Sequence, residues 1–267
     1  MTFGFATAFA SSQKSIDFDF IKSVKDAGYD YIELSGILIG SLQEESFSLL
    51  LKYLAEINLT CKKICSLLSG NFNCFSSNTE IFNRHLDLLF SRFERLGVEE
   101  IGFGSGSARK APDNWETEKS IHSFAEILND HFLPRLKTVN IVLNIEPLNS
   151  AETNTITSFH DAVQLIELLN DHHFGILADT LHMIKMHEDA SLIASAYLGY
   201  INHLHVSELK RVLPVVSYSE ECHAFLNSFI ENGYNKSISF ETKVQQRDDL
   251  RTALLLIKQF VDRHHQS

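Results

Sequence analysis

The chain has 267 residues, of which 44% are hydrophobic and 21% are charged, enough for the large buried core of one domain of about 250 residues. No run of about 18 uncharged apolar residues is present, so no membrane span is expected. The formal net charge of −11 disfavours a nucleic-acid partner, which normally needs a basic face, and a small neutral substrate fits it better.

The N-terminus and the cysteines indicate the compartment. The opening segment MTFGFATAFASSQKS has no basic stretch before its short apolar run, so no signal peptide is expected. Cys61 and Cys65 lie four residues apart in one predicted strand, about 13 Å from each other, which is too far for a disulfide. No Cys-x-x-Cys pair occurs, and we therefore expect a reduced, cytoplasmic protein.

In chain order, short β-rich runs alternate with longer runs of helical period, the pattern of βα units around a parallel sheet. The predicted strands are Phe3–Ala8, Tyr29–Leu34, Leu59–Ser66, Glu100–Phe103, Val139–Ile145, Phe174–Ala178, Ile201–Val206 and Ser237–Phe240. The predicted helices are Phe18–Ala27, Glu44–Ile57, Thr79–Leu96, Thr117–Leu136, Phe159–Leu169, Asp189–Leu198, Glu220–Glu231 and Asp248–Arg263.

Two local patterns support these helices. Glycine follows three of the predicted helices directly or within two residues, at Gly28, Gly97 and Gly233, as is common where a helix ends. The helix Thr79–Leu96 is predicted to bury one apolar stripe, made of Ile81, Phe82, Leu86, Leu89, Phe90 and Phe93.

Eight strands alternating with eight helices, without a linker rich in proline, glycine or serine, predict an α/β protein with a closed (β/α)₈ TIM barrel. We expect residues 1–267 to form one domain. The rival is an open doubly wound sheet, which usually carries a glycine-rich phosphate loop after its first strand. Here the first strand leads into Phe9-Ala10-Ser11-Ser12-Gln13, and the barrel is therefore the preferred interpretation.

Active sites of such barrels lie at the carboxyl ends of the strands. The carboxyl ends of strands five to eight carry Glu146, Asp179, His205 and Glu241 in turn. Four ionisable groups facing one mouth would repel each other or be poorly solvated without a cation. Three carboxylates and one imidazole suit a single divalent ion such as Mn²⁺, with Co²⁺, Mg²⁺ and Zn²⁺ as the other candidates.

At these residues the chain resembles the xylose-isomerase-like superfamily of sugar isomerases and epimerases, and most closely the ketose 3-epimerases that act on tagatose or psicose. The resemblance rests on three motifs and a final glutamate: Glu146-Pro147-Leu148-Asn149 with Glu152, Asp179-Thr180-Leu181-His182, His205-Val206-Ser207-Glu208 with Arg211, and Glu241. The chain departs from the pattern at Ser150, where arginine is common, and in the loop after Arg211.

The resemblance implies that Glu146, Asp179, His205 and Glu241 bind the metal. It implies an isomerase or epimerase of a carbohydrate or derivative, in which Glu146 and Glu241 also exchange protons with opposite faces of the substrate through an enediolate. His182, Arg211 and Glu152 would contact the substrate, a small sugar or polyol. Many relatives are dimers or tetramers, so the resemblance is compatible with a homodimer or a homotetramer.

Two further residues lie on the predicted strands two and seven. Glu33 ends strand two where many relatives carry an acidic residue. It is a candidate substrate-binding residue, but it could also be a partner of a metal ligand or part of the polar layer inside the barrel. His203 shares the face of its strand with His205, and we interpret it as a hydrogen-bonded core histidine.

Three other functions are considered. A dehydratase of an inosose or dehydroshikimate-like compound would use a similar metal site. Because the loop after Arg211 departs from the epimerase pattern, this alternative stays open. An endonuclease for abasic DNA is expected to need further histidines after strands three and four, where the chain has Cys65-Ser66-Leu67 and Phe103-Gly104-Ser105. A barrel that binds sugar without turnover would more often have lost one of the two glutamates.

Overall fold

The computed structural model describes residues 1–9 and 15–265. Eight parallel strands close into a barrel in the order β1 to β8, with β1 hydrogen-bonded to both β2 and β8. The strands are β1 (Thr2–Ala6), β2 (Tyr31–Ser35), β3 (Thr60–Cys65), β4 (Glu100–Phe103), β5 (Val142–Ile145), β6 (Phe174–Asp179), β7 (Ile201–Val206) and β8 (Ser237–Phe240). The predicted closed barrel is confirmed.

Helices surround the barrel between successive strands. They are α1 (Phe18–Ala27), α2 (Gly36–Ser41), α3 (Glu44–Glu56), α4 (Thr79–Leu96), α5 (Thr117–Ile127), α6 (Leu133–Val139), α7 (Phe159–Leu169), α8 (Thr180–Lys185), α9 (Ala190–Tyr197), α10 (Glu220–Glu231) and α11 (Asp249–His265). Across the described ranges, none of these helices is both long and apolar enough to cross a membrane.

The helix ends follow the local signals in the sequence. Gly28 and Gly97 cap α1 and α4 with left-handed φ angles of 96° and 72°, and Gly233, just beyond α10, has a φ of 92°. Glycine adopts this conformation without the steric cost that a Cβ imposes. The predicted glycine ends of these three helices are confirmed.

The buried face of α4 shows why its helix packs on the barrel. Phe82, Leu86, Leu89, Phe90 and Phe93 are buried, as a stripe at intervals of three and four residues requires. The inclusion of Ile81 in this stripe was wrong, because its side chain is 53% exposed. It precedes Phe82 by one residue, which turns it about 100° away around the helix.

The single helix predicted over Thr117–Leu136 is also corrected. It breaks into α5 and α6 through a π-helical turn at Leu128–Phe132, where the amide of Leu133 donates to the carbonyl of Leu128. Pro134 at the start of α6 has no N–H to donate, and a proline in a helix disrupts the regular i to i−4 bonding.

Two short helices after strands were not predicted. Helix α2 begins directly after β2, and α8 begins directly after β6. His182 therefore lies on a helix whose first turn is capped by Asp179, which accepts a hydrogen bond of 2.7 Å from the amide of Leu181. The cap couples the end of β6 to the orientation of α8.

Candidate metal centre and active site

The structure brings the four predicted metal ligands together. Glu146 directly follows β5, Asp179 ends β6, His205 lies in β7 and Glu241 directly follows β8. Asp179 and His205 are paired in register across β6 and β7. All four are buried, and their ligand atoms lie within 4.8 Å of one another. Parallel strands that close in register thus place these side chains at one level of the barrel mouth.

Glu146 is held from two sides. Its amide donates to the carbonyl of Phe103 in the neighbouring strand at 3.3 Å, and its own carbonyl accepts a hydrogen bond from the guanidinium of Arg109. Its carboxylate lies against Gly104, where a Cβ would come within 2.2 Å of Oε2. The bare glycine backbone therefore makes the space that this carboxylate occupies.

The three carboxylates share an enclosed and unfavourable environment. Burial raises the pKa of Glu146 well above its ordinary value, and the charges of Glu241 and Asp179 raise it further. Burial likewise raises the pKa of Asp179 and of Glu241. Adjacent buried anions disfavour one another. A divalent cation among the three carboxylates would stabilise their ionised forms.

His205 supplies the observation that tests whether a metal fits. Its Nε2 lies 3.1 Å from Oε2 of Glu33, whereas its Nδ1 is buried and has no hydrogen-bond partner among the residues that the structure describes. Nδ1 faces the other proposed ligands, 3.7 Å from Oε1 of Glu241. An unpartnered buried imidazole nitrogen beside three carboxylates fits a divalent cation, since buried polar atoms are otherwise hydrogen-bonded.

Arg211 closes the mouth on the side of β7 and β8. Its Nη1 lies 2.6 Å from Oε2 of Glu241 and 3.7 Å from Oδ2 of Asp179, and its guanidinium stacks over the ring of Phe9 at 4.1 Å. The backbone of Arg211 has a left-handed φ of 49°, which is costly for a residue with a Cβ and is often found at functional sites. The guanidinium thus provides a positive charge directly beside the carboxylates.

His182 faces the same space from α8. Its Nδ1 lies 3.3 Å from the backbone N of Asn149. Its Nε2 lies 3.6 Å from Oε1 of Glu146 and 3.3 Å from Nη2 of Arg211. Burial lowers the pKa of His182 to about 4, which favours a neutral ring at neutral pH.

Glu152 lies at the edge of this group. Its Oε1 accepts a hydrogen bond of 2.9 Å from Nδ2 of Asn149 and lies 4.0 Å from Nδ1 of His182. Its side chain is 42% exposed, so it contacts both the site and solvent. Asn149 therefore connects Glu152 with His182 and fixes the position of the imidazole.

Glu33 lies deeper than the other predicted residues. It has no exposed surface, and its two oxygens are engaged by His203 and His205. Burial alone would raise the pKa of Glu33. The imidazoles of His203 and His205 instead hold this pKa well below its ordinary value. The structure thus places Glu33 beneath the candidate metal centre as a partner of His205, not on the open face of the mouth. The interpretation of His203 as a hydrogen-bonded core histidine is confirmed, since its ring is buried and also lies 2.8 Å from Oγ of Ser237.

Two residues at the site were given no role by the sequence. Arg109 is completely buried on a 3₁₀ turn after β4, and nothing in its local sequence distinguishes it from a surface arginine. Asn149 could have been found, because it closes the Glu-Pro-Leu-Asn motif directly after β5, where side chains reach the mouth.

With this geometry established, the chain can be compared with known proteins. Residues 21–260 match the family described as xylose isomerase-like TIM barrel. The chain belongs to this family. The family assignment confirms the resemblance found in the sequence, and the closed eight-stranded barrel agrees with it.

Similar proteins include sugar epimerases. L-ribulose 3-epimerase of Mesorhizobium japonicum is 23% identical over 227 residues, which cover 83% of this chain and 74% of that protein. The structure of D-psicose 3-epimerase with D-tagatose from Clostridium cellulolyticum H10 has a TM-score of 0.79 at 17% identity and covers 98% of this chain and 99% of that one. The structure of the IOLI protein with a binding zinc atom has a TM-score of 0.75 at 15% identity, with 99% of each chain covered.

Proposed function

We propose that this protein is a divalent-metal-dependent isomerase or epimerase of a small sugar or related polyhydroxy ketone. The observation that carries the proposal is the cluster of Glu146, Asp179, His205 and Glu241, in which Nδ1 of His205 is buried without a partner among the described residues. The similarity to L-ribulose 3-epimerase and D-psicose 3-epimerase supports a ketose as the substrate class.

The four clustered side chains would hold the cation, and Mn²⁺ is the ion we propose first because oxygen ligands with one imidazole suit it. When bound, the ion would supply Lewis-acid polarisation of a carbonyl group. The similar barrel with a binding zinc atom supports a divalent metal in this fold. Titration of the metal-free protein with Mn²⁺, Co²⁺, Mg²⁺ and Zn²⁺ would rank the candidates.

Proton transfer is assigned to the two glutamates. Glu146 and Glu241 follow β5 and β8 and so approach the site from different parts of the barrel rim. One would take the proton from the carbon beside the carbonyl, and the other would return a proton to the opposite face. A general acid or base must lie within hydrogen-bond reach of the proton that it moves, and the carboxylates of Glu146 and Glu241 both belong to the cluster at the barrel mouth.

Binding of the substrate is assigned to the polar groups around this pair. His182 would hydrogen-bond a substrate hydroxyl, and the guanidinium of Arg211 would donate to substrate oxygens. Glu152 would accept a hydrogen bond from a hydroxyl near the edge of the mouth. Phe9, stacked against Arg211, would cover the same side with an apolar surface. Sugar-binding sites commonly combine a few directed polar groups with such a surface.

The test is solvent deuterium incorporation followed by NMR, with metal-loaded protein and a panel of ketoses, ketose phosphates and inososes. We expect deuterium at the carbon beside the carbonyl of one ketose, together with its epimer or isomer. Loss of water from an inosose would instead identify a dehydratase. Absence of exchange with every compound, at confirmed metal occupancy, would contradict proton-transfer chemistry on these substrates.

A further inference from the structure

A buried polar chain runs beneath the candidate metal centre. Glu33 of β2 has no exposed surface. Its Oε1 lies 2.7 Å from Nε2 of His203, and its Oε2 lies 3.1 Å from Nε2 of His205. An ionised carboxylate can only accept hydrogen bonds, so each imidazole must carry a proton on Nε2.

This proton fixes the chemistry of the other nitrogen of His205. A neutral imidazole has one N–H and one lone pair. With the proton on Nε2, the lone pair lies on Nδ1, the atom that faces Glu241 at 3.7 Å and has no partner among the described residues. Histidines that bind metals usually donate their second N–H to a carboxylate or carbonyl, which sets the tautomer and the ring orientation.

His203 holds the carboxylate of Glu33 in this position. Its Nδ1 lies 2.8 Å from Oγ and 3.0 Å from the backbone carbonyl oxygen of Ser237, and its Nε2 donates to the carboxylate of Glu33 at 2.7 Å. β8 and β1 separate β7 from β2 in the barrel, so Glu33 reaches across the interior and does not contact a neighbouring strand. Its two bonds to β7 therefore fix its position directly under His205.

We propose that Glu33 is the positioning residue of the metal centre, fixing His205 with its proton on Nε2 and Nδ1 toward the metal, and that His203 braces Glu33. The inference rests on the proposed metal site and explains how that site is kept ready. A buried acid such as Glu33 can have either of two roles, and metal affinity distinguishes them. A residue that only stabilises the barrel would leave metal affinity unchanged, whereas a positioning residue sets it.

The test replaces Glu33 by glutamine, which keeps the volume but offers one acceptor oxygen where the carboxylate offers two. We expect Glu33→Gln to weaken Mn²⁺ binding about 10- to 100-fold in isothermal titration calorimetry, the usual effect of losing such a partner. Tyr31→Phe is the matched control. Tyr31 lies on the same strand, is also buried and bonds Oγ of Ser239 at 2.9 Å. Loss of its hydroxyl should lower thermal stability and leave Mn²⁺ affinity unchanged.

The outcomes distinguish the two proposals. Wild-type protein that binds none of Mn²⁺, Co²⁺, Mg²⁺ and Zn²⁺ would refute the metal centre itself. Wild-type protein that binds one of these ions, with equal affinity in Glu33→Gln, would refute only the role of Glu33, as would an equal loss of affinity in Tyr31→Phe.

A second measurement needs no variant. In ¹⁵N NMR spectra of the Zn²⁺-loaded wild-type protein, we expect His205 to keep a proton on Nε2 and to bind Zn²⁺ through Nδ1. Zn²⁺ on Nε2, or a proton on Nδ1, would overturn the inference even if Glu33→Gln failed to fold.

Discussion

Gly104 offers the sharpest test of the metal centre because it contributes no side chain to it. A Cβ added at Gly104 would lie 2.2 Å from Oε2 and 3.2 Å from Cδ of Glu146. An ordinary contact needs about 3.5 Å, so the carboxylate would have to withdraw by about 1 Å. Ligand distances in metal sites vary by only about 0.2 Å, so a shift of this size would remove Glu146 from the proposed coordination set.

We therefore expect Gly104→Ala to weaken Mn²⁺ binding about 10- to 100-fold and to lower kcat/KM by about 100-fold, the effect of misplacing a reacting group by about 1 Å. Calorimetric titration measures the first quantity, and initial rates on the ketose found in the exchange assay measure the second. The φ of Gly104 is outside the left-handed region, so alanine adds no backbone strain that could account for the loss.

Gly199 provides the matched control. Within the part of the chain that the structure describes, a Cβ at Gly199 meets nothing within 4 Å, and its φ is also outside the left-handed region. Gly199→Ala should keep both metal affinity and activity. If Gly104→Ala were folded and bound Mn²⁺ as tightly as the wild type, the carboxylate of Glu146 would not be a ligand in the position described here.

Three further predictions address catalysis, binding and stability. Glu241→Gln removes a charge at constant volume and should reduce turnover about 100- to 10,000-fold while circular dichroism stays unchanged; a fully active variant would contradict its role. Arg211→Ala should raise KM about 10-fold, as expected for a lost charged hydrogen bond, with a smaller effect on Mn²⁺ affinity, whereas equal losses would indicate a structural role. Leu86→Ala should cost about 2–5 kcal/mol in urea unfolding, and Ile81→Ala less than about 0.5 kcal/mol because its side chain is exposed; similar costs would contradict the assigned faces of α4.

Local periodicity determined much of this fold. The strands β4, β7 and β8 and the helices α1, α4, α7 and α10 begin and end where the sequence predicts, because alternating apolar runs, helical stripes and glycine ends are properties of short segments. The same logic located Glu146, Asp179, His205 and Glu241, since the carboxyl ends of parallel strands meet at one rim.

Tertiary structure decided what no local pattern contains. The sequence could not show that Arg109 is fully buried or that His182 is held by Asn149, because both depend on how neighbouring loops pack. Above all, Glu33 meets His205 only when β1 pairs with β8 and closes the barrel. These contacts join residues far apart in the chain, and their geometry is set by closure of the whole sheet, whereas periodicity reports only the face on which each side chain lies.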